Sequence, residues 1–129
     1  MSNNEPRVVE ERQGRVLELV IHNTAQRNAL TPGISDQLTR ALRLADEDDT
    51  VGAVVLRGEG RHFCAGGNLK SLAEMRVSKP REAMFERIAH VNELARALRG
   101  VGKVVIAAVE GHAAGAGFSI ALACDLVVA

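Results

Sequence analysis

Two short turns concentrate the residues that could do chemistry, Cys64-Ala-Gly-Gly-Asn68 and Ala114-Gly-Ala-Gly117. Each follows a segment with the make-up of a buried strand and precedes a stretch with helical spacing. Backbone N–H groups at such strand-to-helix turns have no partner inside the helix and lie at the positive end of its dipole. Two of them aimed at one point form an oxyanion hole, which stabilises charge developing on a carbonyl oxygen by about 3 kcal/mol per donor. Small residues let the backbone itself approach a ligand there. The same glycines equally suit tight turns and close helix packing, so at this level both readings stand.

Other constellations are weaker. Gly117-Phe-Ser-Ile-Ala121 is one residue away from the G-x-S-x-G nucleophile elbow, yet His22, His62, His90 and His112 all precede Ser119, which leaves no downstream base. Cys64 beside His62 suggests a thiol nucleophile, although a cysteine in this setting is more often simply buried. The turn Gly111 to Gly117 has the spacing G-x-x-x-G-x-G, not the dinucleotide fingerprint G-x-G-x-x-G. Glu110 precedes the second turn and is a candidate pocket carboxylate, whereas Glu74 and Glu86 read as helix-surface groups. His112 is a candidate substrate contact or a structural turn residue, and Asp125 reads as fixing the loop before it.

Elements that must hold these turns follow from periodicity. Arg15 to Ile21 alternates and then becomes continuously apolar, and it pairs with Arg7 to Arg12 across a turn at Gln13-Gly14. Thr31-Pro32 is an N-cap followed by proline at the first helical position. Ile34, Leu38, Ala41, Leu42 and Ala45 then recur at helical spacing, and the acidic run Asp46 to Asp49 opposes the dipole and predicts fraying. Gly52 to Arg57 and Lys103 to Val109 read as interior parallel strands. A short helix is expected over Asn68 to Met75. A longer one opens at Pro80, carries Met84, Ile88, Val91, Leu94, Ala95 and Leu98 on one stripe, and ends at Gly100. A small-residue helix, Phe118 to Ala123, leads to a last buried strand from Asp125. Alternating strands and helices predict an α/β domain with a mostly parallel sheet. Leu126-Val-Val-Ala129 without a covering helix leaves that domain incomplete.

Bulk properties narrow the function classes. The chain has 129 residues, 47% hydrophobic and 25% charged, as a single globular domain does. Sixteen basic and sixteen acidic side chains cancel, which disfavours nucleic acid and anionic membranes as partners. Three Phe with no Trp or Tyr argue against base stacking or an aromatic cage. Two cysteines, Cys64 and Cys124, without metal-ligand spacing point to a reducing compartment. The opening residues lack a signal-peptide pattern and no apolar run reaches a membrane span, so the expected location is cytoplasmic.

Arg27-Asn-Ala-Leu30, Gly58-Glu-Gly-Arg-His-Phe-Cys-Ala-Gly-Gly-Asn-Leu69 and the run from Val104 to Asp125, in this order, resemble the crotonase superfamily of enoyl-CoA hydratases and isomerases. The resemblance covers nearly the whole chain. It implies a crotonase-like spiral of ββα units, with residues 1–129 as the truncated N-terminal part of one such domain. It further implies an acyl-CoA thioester as substrate, polarised between the N–H groups of Gly67 and Ala116 to stabilise an enolate. Where family hydratases carry a catalytic glutamate, this chain has Ser119, which cannot act as a carboxylate base. The second family carboxylate falls beyond Ala129, and isomerases manage with that one alone, so isomerase or hydratase chemistry is expected. A non-catalytic or truncated acyl-CoA-binding homologue is the alternative. Asn68 replaces the usual aspartate, Ala116 the usual glycine, and Asn23-Thr24 the usual prolines. By the same resemblance Arg27 and Lys70 meet CoA phosphates and Ala65 lines the adenine site. No metal and no cofactor beyond coenzyme A are implied, and the assembly is a homo-oligomer, a trimer or a dimer of trimers.

Overall fold

A computed structural model describes residues 4–67, 73–74 and 80–129. Its five-stranded sheet has the order β1-β2-β3-β4-β5, with β1 (Arg7–Gln13), β2 (Val16–His22), β3 (Ala53–Gly58), β4 (Val104–Ala108) and β5 (Leu126–Val128). β1 and β2 form the antiparallel hairpin expected from the Gln13-Gly14 turn, where Gly14 has φ +58°. Every other pairing is parallel. The helices are α1 (Pro32–Glu47), α2 (Pro80–Gly100) and α3 (Ala116–Ala123).

α1 starts where its cap residues dictate, with the Thr31 hydroxyl accepting from the Ile34 N–H at 3.1 Å and Pro32 at the first position. All five residues of its expected stripe are buried. It packs on β1, on β2 and on α2. The side chains of Leu17, Leu19, Ile21, Val54, Leu56, Val105 and Ala107 alternate along their strands onto one sheet face and join this core. That alternation is the period of two that buries one face of a sheet.

Three expectations need correction. The acidic end of α1 is regular helix to Glu47, and two of its carboxylates are hydrogen-bonded, one of them to another segment. Asp46 accepts from the Gly102 N–H at 2.7 Å, and Asp48 accepts from the Thr50 hydroxyl at 2.6 Å and the Thr50 N–H at 2.9 Å. These two bonds, then Arg12, hold the Asp48 carboxyl below its usual pKa. Asp125 does not tie down the loop before it but bridges to β4, accepting from the Val105 N–H at 2.8 Å. The last strand is not buried: as the sheet edge it leaves Leu126, Val127 and Val128 at least half exposed. Of the short helix expected over Asn68 to Met75, Ala73 and Glu74 are helical and the rest lies outside the described residues. α2 is buried at Leu94 and Leu98, whereas Ile88, on the same stripe, is 46% exposed. No helix among the described residues is long and apolar enough to cross a membrane.

Candidate functional site

The loop after β2 is the first part of the site, and two asparagines that periodicity could not single out hold it. Asn28, at φ +59°, is 1% exposed. Its amide oxygen accepts from the Asn23 N–H at 2.9 Å, and its amide NH2 donates to the carbonyls of Glu59 and His62 at 2.9 and 2.7 Å. Asn23 donates in turn to the Ala29 carbonyl at 2.9 Å. Every buried polar group in this knot therefore has a partner. Its effect is to fasten the loop after β2 to the loop after β3. The fastening continues with Ala65 N–H donating to the Arg27 carbonyl at 3.0 Å and Leu30 N–H to the Gly66 carbonyl at 2.6 Å.

A second set of bonds joins the loop after β3 to the loop after β4. Cys64 N–H donates to the His112 carbonyl at 3.0 Å, and Ala114 N–H to the Cys64 carbonyl at 3.1 Å. The rings of His62 and His112 stack at 4.5 Å and 19°, and the His112 N–H lies 3.3 Å from His62 Nδ1. Desolvation, then the neighbouring charges of His112, Arg27 and Arg61, push the His62 pKa down. Glycine is needed where the turns touch. Gly66 has φ +87°, and a Cβ on it would lie 2.6 Å from the Ala114 carbonyl oxygen and 3.1 Å from the Ala116 nitrogen. A Cβ on Gly117 would run into the Cys64 carbonyl.

These contacts bring both candidate turns to one cavity of about 570 Å³, which Ala65, Gly67, Ala114, Gly115 and Ala116 help to line. Gly115, at φ +54°, is the N-cap of α3, so Ala116 is the first helical residue, where no intrahelical acceptor exists. Among the described residues, neither the Gly67 N–H nor the Ala116 N–H has a hydrogen-bond acceptor. Ala116 needs no glycine, since its φ is not positive. Both residues thus line one cavity, and Ala116 lies at the N-terminal, positive end of the α3 dipole.

The other expected residues are placed differently. Arg27 is exposed, at φ 52°, and does not line the cavity, although its carbonyl positions Ala65. Ser119 is exposed on α3, away from the cavity lining, with its hydroxyl donating to the Gly115 carbonyl at 3.3 Å. Asn68 and Lys70 lie outside the described residues. Glu110 and Glu74 are exposed, and no carboxylate lines the cavity among the described residues. Burial raises the Cys64 thiol to about 11, which removes it as a nucleophile near neutral pH. Cys124, also buried, is raised to about 12. Among the described residues no three His, Cys, Asp or Glu side chains gather as metal ligands.

Known proteins resemble this chain in sequence and fold. The profile of the enoyl-CoA hydratase/isomerase family matches residues 11–129. A 2,3-dehydroadipyl-CoA hydratase of Escherichia coli is 37% identical over 122 residues, covering 92% of this chain and 44% of that protein. A mitochondrial enoyl-CoA hydratase of Pongo abelii is 36% identical over 102 residues, 79% of this chain and 33% of that one. Among solved structures, an enoyl-CoA hydratase from Polaromonas sp. JS666 superposes with a TM-score of 0.90 at 43% identity, covering 94% of this chain and 47% of that chain. The chain spans less than half the length of each of these proteins.

Proposed function

Because the chain belongs to the enoyl-CoA hydratase/isomerase family, we propose that its cavity binds an acyl-CoA thioester and polarises the thioester carbonyl between the Gly67 and Ala116 N–H groups. The observation that carries this reading is that Gly67 and Ala116 both line one cavity and that neither N–H has an acceptor among the described residues. Donors fixed by the backbone need no reorganisation as charge builds on the oxygen, so they favour the enolate-like transition state over the bound thioester. Stabilising that anion serves water addition and double-bond migration alike, and the choice between them rests on the acid or base placed beside it. No described residue supplies a carboxylate at the cavity, and residues 68–72 and 75–79 contain neither Asp nor Glu. We therefore assign the proton-transferring carboxylate to a group outside these 129 residues.

In the same proposal Arg27 and Lys70 meet CoA phosphates at the rim, Asn68 adjoins the donor Gly67, and Ala65 contributes through its backbone. Coenzyme A enters only as part of the substrate. The exposed apolar side chains of Leu122, Leu126 and Val128 support a homo-oligomer, and the family resemblance alone suggests a trimer or a dimer of trimers. Two buried free thiols suit a reducing compartment, the cytoplasm in this reading. A second reading, thioester binding without turnover, is favoured by Ser119, whose hydroxyl is bonded to its own helix at a position outside the cavity lining.

A short enoyl-CoA added to the purified chain and a saturated thioester titrated into it by calorimetry test both. Binding without turnover is the result expected of this site when its carboxylate lies outside these residues. Loss of the conjugated-thioester absorbance above background overturns both the binding-only reading and that placement of the carboxylate, and no binding of either compound refutes both readings.

A further inference from the structure

The cavity has a second wall, from α1 and α2, with its own chemistry. Leu30, Pro32, Ile88 and Val91 make most of it apolar, as a methylene chain requires. Among the described residues five polar ones interrupt that surface, Thr31, Ser35, Arg87, His90 and Asn92; the Thr31 hydroxyl is taken up in capping α1 and Asn92 is exposed. Ser35 on α1 lines the cavity and is 1% exposed, yet its hydroxyl has no hydrogen-bond partner among the described residues. His90 on α2 also lines the cavity, and its Nδ1 lies 2.7 Å from the Asp36 carboxylate, which fixes the ring. With Nδ1–H donating to Asp36, Nε2 accepts when the ring is neutral and donates when it is charged.

A ligand that displaces water from the cavity wall leaves the Ser35 hydroxyl unbonded, at a cost in free energy, unless it supplies a partner itself. Resting on the acyl-CoA reading above, we infer that Ser35 and His90 select an acyl chain bearing an oxygen function, a hydroxyl or a carboxylate, over a plain alkyl chain. Ser35 donates to or accepts from that oxygen, and His90, held by Asp36, completes its hydrogen bonding. The apolar residues between take the methylenes. A methyl-ended chain would leave both polar groups unanswered.

Calorimetric titration of the 129-residue protein with three saturated six-carbon CoA thioesters, ending in methyl, hydroxyl or carboxylate, tests this. At least one oxygenated thioester is expected to bind about tenfold more tightly than the methyl-ended one, the scale of one buried hydrogen bond. Which of the two it is identifies the oxygen source. Ser35→Ala, and separately His90→Gln, are each expected to narrow that gap to about threefold or less. Equal or tighter binding of the methyl-ended thioester overturns the inference and leaves the acyl-CoA reading intact. Equal weakening of all three thioesters by both variants also overturns it, since the contact would then be to the coenzyme. Failure of every thioester to bind overturns the acyl-CoA reading with it.

Discussion

Gly66 shows how one residue type decides the site. Its φ of +87° excludes an unstrained side chain, and an added methyl would meet the Ala114 carbonyl oxygen at 2.6 Å. Gly66→Ala is therefore expected to cost about 1–3 kcal/mol of stability, read from the denaturant midpoint, and to weaken thioester binding because the two turns must separate. Unchanged stability and binding would contradict the contact. The buried thiols make a second prediction at this scale. Cys64 and Cys124 have folded pKa values raised from 9.0 to about 11 and about 12. Their contribution to stability is fully present below pH 9.0 and is lost as the pH rises toward those values, because the unfolded chain then gives up protons the folded chain keeps. Thermal melts across that range should show the decline, and Cys64→Ala with Cys124→Ala should flatten it.

At the scale of elements, the site depends on loops from three strands being fastened together. Asn28 clasps the first to the second, and the Cys64, His62 and His112 contacts join the second to the third. The depressed His62 pKa gives a sign. Above the ordinary value of 6.5 the ring is neutral folded or unfolded, and as the pH falls below it the unfolded chain takes up a proton that the folded chain resists. Stability should drop as the pH falls through the ordinary value of 6.5, and His62→Gln should reduce that drop. The elements themselves were readable because their signals are local: the Thr31-Pro32 cap, the α1 stripe and the β-branched strands each carry their own period. What escaped was decided by distant partners. The acidic end of α1 reads as frayed until Gly102 comes into contact with it, and Asp125 reads as a loop residue until β4 lies beside it. The two glycine turns were legible as anion-binding candidates. That they meet at one cavity, and that Ser35 and His90 line it too, follows only from tertiary packing.

Over the whole molecule, one sheet face is covered by helices, while apolar side chains remain in the open around α3 and β5. Phe118, Leu122, Leu126 and Val128 are each more than half exposed. Clustered exposed apolar surface favours association. Sedimentation of the 129-residue chain should therefore show species heavier than 13.8 kDa, and Leu126→Lys with Val128→Lys should shift them toward the monomer. The balance of sixteen basic and sixteen acidic groups leaves no overall field to oppose that association. The proposed joint action of the Gly67 and Ala116 N–H groups on one thioester carbonyl is directly observable. Infrared difference spectroscopy of a bound, non-reacting CoA thioester, labelled with carbon-13 at its carbonyl, reads the polarisation of that bond. The account predicts that the labelled stretch moves to lower frequency on binding; a bound thioester whose stretch stays at its solution frequency would contradict it.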